Sequence, residues 1–113
     1  MLSAALILFY IASVGGLTLA ALCFSKRCLP IILAIIHGSV AAIALIVLTV
    51  AIGQLTNKDF TTLPMVLFEI AAVSGFTLLT FHLRGKKLPT LLILAHGSIA
   101  IIALMILSYR IIS

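Results

Sequence analysis

Four long apolar runs joined by three short polar links limit this chain more than any other feature. The runs read as residues 3–24, 30–53, 64–82 and 89–110, and the links as 25–29, 54–63 and 83–88. Crossing the hydrocarbon of a bilayer takes about 20 residues, so four crossings use most of the length and leave no room for a soluble domain. Lipid offers the backbone no hydrogen-bond partners, so each run is expected to be a helix. Tight links make sequence neighbours antiparallel. The expected fold is therefore all-α, an integral membrane four-helix up-down-up-down bundle, with residues 1–113 forming a single transmembrane domain. Hydrophobic residues make up 65% of the chain and charged ones 8%. These values exclude both a water-soluble fold and intrinsic disorder. Pro30, Pro64 and Pro89 each open a span, where a missing amide hydrogen does no harm.

The formal net charge is +5, and the placement of the cations argues for a membrane and against nucleic acid. Lys26 and Arg27 stand in one short link and Arg84, Lys86 and Lys87 in another, while Lys58 and Arg110 fall on the opposite side. Links rich in Lys and Arg stay cytoplasmic. The expected location is a bacterial inner membrane, with both termini outside and the basic links in the cytoplasm. Cys23 and Cys28 lie at that reducing edge and are expected to remain thiols. The first run starts at Met1 without a basic n-region or a small-residue cleavage site, so it reads as a retained span.

An internal repeat organises the chain. Residues 9–52 align without gaps on residues 68–111, with 19 of 44 positions identical. Apolar composition supplies many Leu, Ile and Ala matches by itself. It does not supply Gly16 with Gly75, Thr18 with Thr77, Pro30 with Pro89, or His37-Gly38-Ser39 with His96-Gly97-Ser98. Each repeat holds two spans, so the two units enter the membrane in parallel, related by an approximate two-fold axis along the membrane normal. Equivalent residues then share a depth and can face each other across that axis.

His37 and His96 follow the prolines of their spans by seven residues, which sets them roughly 10 Å inside the basic edge. Gly16 and Gly75 fall at about the same depth. Ala41 and Ala44, with Ala100 and Ala103, continue the histidine face at helical spacing. Two imidazoles among small residues suit a b-type haem, whose iron takes one ring on each face. In that reading His37 and His96 are the iron ligands, and Gly16 and Gly75 let the macrocycle approach the other two helices. Ser39, Ser98 or a helix carbonyl orients the second ring nitrogen, and Lys26, Arg27, Arg84, Lys86 and Lys87 pair with the propionates.

Histidines on the second and fourth spans, with glycines on the first and third, resemble the haem core of transmembrane b-type cytochromes. The resemblance implies a membrane electron carrier, or a protein that senses or carries haem, whose partner is a quinone or another membrane redox protein. Such cytochromes often carry two histidines on each ligand helix and bind two haems. Here each ligand helix has one, which leaves a monomer no second haem of the same ligation.

Two other readings stand beside it. Gly, Ala and Ser enrich any close helix contact, and a histidine can bond across such a contact without binding a ligand. The chain is then a haem-free accessory or structural subunit of a larger membrane complex, or a homo-oligomer. Alternatively, Glu69, Tyr10 and the histidines form a proton or ion pathway. Glu69 aligns with Tyr10 in the outer half, where a carboxylate needs a proton or a partner. The expectation is a hydrogen bond between Glu69 and Tyr10 across the two-fold, with a proton relay or a quinone site as the alternative. His82 is read as an interfacial histidine in contact with water or as a third ligand, Arg110 as snorkelling to headgroups, and Thr18 and Thr77 as bonding their own helices. No HExxH, CxxC, phosphate loop or nucleophile–base set points to catalysis.

Overall fold

The computed structural model describes residues 2–25, 31–54 and 59–112. They form four α-helices, α1 (Leu2–Phe24), α2 (Ile31–Gly53), α3 (Asp59–Leu83) and α4 (Thr90–Ile112). All four are long and apolar enough to cross a membrane. A 23-residue helix rises about 34 Å, enough for a hydrocarbon core of about 30 Å. The outward faces carry Ile7, Val14, Ile32, Val73, Leu91 and Met105, all exposed, as helices surrounded by lipid require.

The element boundaries agree with the sequence reading except at α3. That helix begins at Asp59, five residues before Pro64, which lies inside it and is fully buried. Pro64 withholds one amide hydrogen from the carbonyl of Phe60, a loss confined to the start of the helix. Pro89 stands just before α4, and its carbonyl accepts the first helical bond, from the N–H of Ile93 at 3.1 Å. Pro30 lies outside the described residues, as do Lys26, Arg27, Cys28 and Lys58.

The helices form a square in chain order. Helix α1 packs most extensively on α2, and α3 on α4; the seams α1–α4 and α2–α3 are shorter, and the diagonal pairs do not approach at the backbone. The molecule is thus two tight hairpins, one from each repeat, meeting along a lesser seam.

Burial is uneven along the bundle axis. The fully enclosed core, made of Ala5, Phe9, Ala44, Leu48, Ile52, Phe68, Ala103, Leu104 and Leu107, lies wholly toward the end that carries Gln54 and the termini. Phe9 and Phe68 stack across the α1–α3 diagonal, with centroids 3.8 Å apart and planes within 7°. From Ser13 on α1, His37 on α2, Ala72 on α3 and His96 on α4 to the basic end, every described residue is half-buried or exposed.

Helix α3 ends in a Schellman turn. The N–H of Lys86 bonds the carbonyl of Phe81 at 3.0 Å, and that of Gly85 bonds His82 at 3.1 Å. Gly85 takes the left-handed conformation this turn needs, at φ 68°.

Candidate functional site: the paired histidines

His37 and His96 stand where the enclosed core gives way to the open half. They project from the diagonal helices α2 and α4 toward the bundle axis, with ring centroids 6.3 Å apart and planes at 89°. The duplicated units therefore bring their imidazoles together at one depth, as the repeat predicts.

Each ring is held by the first helix of its own hairpin. His37 Nδ1 lies 2.7 Å from the Ala12 carbonyl oxygen and His96 Nδ1 2.8 Å from that of Ala71. A carbonyl only accepts, so each Nδ1–H donates, and the neutral ring keeps its free lone pair on Nε2.

The glycines explain why a helix carbonyl, already bonded within its own helix, is open to a second donor. Cβ atoms tilt toward the helix N-terminus, so side chains three and four positions on overhang a given carbonyl. Beyond Ala12 those positions are Gly15 and Gly16. A Cβ on Gly16 would stand 2.9 Å from His37 Cε1, and one on Gly75 3.0 Å from His96 Cε1, closer than carbon atoms pack. The sequence reading gives this space to the edge of a macrocycle; in the structure the imidazole of the same hairpin fills it.

The second hairpin adds a contact that the sequence reading lacks. Ser74, the counterpart of Gly15, donates its hydroxyl to the Ala71 carbonyl at 2.8 Å and lies 3.1 Å from His96 Nδ1. Its position three residues after Ala71, beside Gly75, is the signal from which it can be found.

Ser39 and Ser98 do not orient the rings. Both are exposed, because two residues turn a helix by about 200°, so a residue two beyond an inward histidine faces out. The helix carbonyls named as the other option take that role. Tyr10 and Glu69 do not pair either. The Tyr10 hydroxyl bonds Ser108 Oγ at 2.7 Å, and Glu69 is exposed. The cause is again angular: Phe9 and Phe68 point at the axis, so the next residue turns about 100° away. The two-fold then sends Tyr10 to the α1–α4 seam and Glu69 to the opposite side, away from both histidines. His82 is half-buried in the last turn of α3. Among the described residues no three His, Cys, Asp or Glu side chains gather around a metal position, so His82 does not join the pair. Cys23 is a half-buried free thiol. Thr18 and Thr77 donate to the carbonyls of Val14 and Val73, as expected.

The donor set can be tested against haem iron. Two Nε2 atoms at about 2.0–2.1 Å from a metal, the usual range for imidazole, hold the ring centroids roughly 6 Å apart. The centroids of His37 and His96 lie 6.3 Å apart. The Nδ1–H to carbonyl bond is the usual outer support of a metal-bound histidine. On the histidine helices Ala41 and Ala100 follow one turn on, and Ala44 and Ala103, two turns on, belong to the buried core. From this layer to Arg84, Lys86 and Lys87, every described residue is half-buried or exposed. Two imidazoles, each with Nδ1 bonded to a helix carbonyl, are the donor set that a bis-histidine iron would use.

Compared with protein-family models, curated proteins and solved structures, the chain finds no match to any. Its function is therefore argued from its own geometry.

Proposed function

We propose that this protein is a small membrane haem protein, with one b-type haem ligated by His37 and His96. One observation carries the reading: two Nδ1-anchored imidazoles, one from each repeat, meet at the bundle axis at a separation that suits a shared iron. A haem so held supplies one-electron exchange, with a potential set by its burial and by hydrogen bonds to its ligands. The chain's own residues do the rest. Ala12 and Ala71 fix the tautomer and the ring orientation, and Gly16 and Gly75 expose those carbonyls. Arg84, Lys86 and Lys87 offer cations to the propionates, a role Lys26 and Arg27 share in the sequence reading. The exchange partner is a quinone or another membrane redox protein; haem sensing or carriage uses the same ligands. In this reading the basic end is the cytoplasmic one.

The same clasp favours a second reading. Each imidazole fills the notch of its own hairpin, so the pair also serves as two fasteners in a haem-free accessory subunit that docks in a larger complex. An absorption spectrum of the purified protein, oxidised and then dithionite-reduced, separates the two. The haem reading expects a Soret band and sharp reduced bands, lost in His37→Ala and in His96→Ala. Protein that stays colourless after haem is added overturns it and leaves the fasteners.

A further inference from the structure

Beside the last two turns of α3 a cavity of about 310 Å³ opens, lined by Thr77, Thr80, Phe81, Arg84 and Lys86. Its rim carries two exposed cations and no carboxylate; the only acidic residues, Asp59 and Glu69, belong to the first half of α3. The Schellman turn turns the chain back at Gly85 and ties Lys86 to Phe81, so the backbone holds Lys86 on the side of the cavity. Thr77 and Thr80 donate their hydroxyls to the carbonyls of Val73 and Phe76. Recognition of an anion therefore falls to Arg84 and Lys86. The duplication did not create this cavity. Its lining residues correspond in the first repeat to Thr18, Ala21, Leu22, Ser25 and Arg27, a set without the aromatic wall or the paired cations.

We propose that this cavity binds the phosphate group of an acidic phospholipid. A guanidinium presents its fork to phosphate oxygens and an ammonium adds a point charge. Depth decides between a lipid and a free anion. Thr77 lies six residues below the end of α3, or about 9 Å, so the cavity runs from the headgroup zone down to where acyl chains begin. Phosphate alone would meet only the rim. Thr77, Thr80 and Phe81 line the cavity below Arg84, and the Phe81 ring offers an apolar wall to the glycerol and the first acyl carbons. Arg84 and Lys86 are also the cations offered to the propionates, so the test is read on haem-free protein.

The test is native mass spectrometry of the purified chain in detergent, with dioctanoyl phosphatidylglycerol or dioctanoyl phosphatidylcholine added. Variants Arg84→Gln, Lys86→Gln and Lys87→Gln each remove one exposed charge, and Lys87 lies outside the cavity. Phosphatidylglycerol is expected to remain bound where phosphatidylcholine does not. Arg84→Gln or Lys86→Gln should weaken retention about tenfold, against about twofold or less for Lys87→Gln, which reports only diffuse attraction to a basic surface. Inorganic phosphate should not displace the lipid. Equal losses in all three variants, displacement by phosphate, or equal retention of the two lipids would each overturn the assignment.

Discussion

The half of the bundle around Phe9, Leu48, Phe68 and Leu107 is closed, whereas the half between the histidines and Arg84 is not. Leu48 and Leu107, equivalent in the two repeats, have no exposed surface. Leu19 and Leu78, equivalent in the open half, are half-buried. Composition does not account for the contrast, since both halves are built from Leu, Ile, Ala and Val. The closed half has an aromatic pair stacked on the axis and leucines meeting beside it. At the boundary the axis is occupied by two polar rings, each committed to its own hairpin. Beyond the rings, toward the basic end, no described residue is buried.

This contrast is open to direct tests. The largest expected effect is from Leu48→Ala or Leu107→Ala, measured as unfolding in mixed detergent micelles. Each should cost about 2 kcal/mol, the low end for a buried leucine, because lipid is as apolar as the core and only lost packing remains. Leu19→Ala and Leu78→Ala should cost less than half of that; equal losses in the two halves would remove the distinction.

Next come Gly16→Ala and Gly75→Ala, expected to destabilise by about 1–2 kcal/mol as the new methyl group forces the imidazole from its notch. In a haem-loaded sample the same variants should shift the reduced bands. A fully tolerated alanine at both positions would show that the rings do not rest on α1 and α3.

The smallest effects separate the two hairpins. Tyr10→Phe removes the bond to Ser108 and should cost about 0.6 kcal/mol, a typical side-chain bond between membrane helices. Ser74→Ala should cost no more. Gly15→Ser is expected to be accepted, since a Cβ there would stand 3.6 Å from His37 Nδ1, an ordinary contact. That substitution gives His37 the hydroxyl that His96 already has. If Gly15→Ser destabilises as strongly as Gly16→Ala, the two clasps are not equivalent.

Much of this architecture was legible before any coordinates. Length and hydropathy set four helices, the repeat set the two-fold, and helical rise set His37, His96, Gly16 and Gly75 at one depth. Azimuth was harder. Ser39 and Ser98 look like partners because they sit two residues from a histidine in the chain, yet that spacing turns them outward. Tyr10 and Glu69 look paired because the repeat aligns them, yet each stands one residue past an axial phenylalanine. The role of the glycines was hidden for another reason: a glycine in the sequence marks a space without saying what fills it.

By itself the sequence determined the membrane-crossing helices, their order and the equivalence of the hairpins, because these follow from the length of apolar runs and from duplication. Only the tertiary structure decided that Ala12 and Ala71 hold the imidazoles, that Ser74 touches one of them alone, and that the buried core lies at one end of the bundle. Those outcomes depend on how far each helix is rotated about its own axis, and that rotation is fixed by side chains meeting across helices distant in the chain.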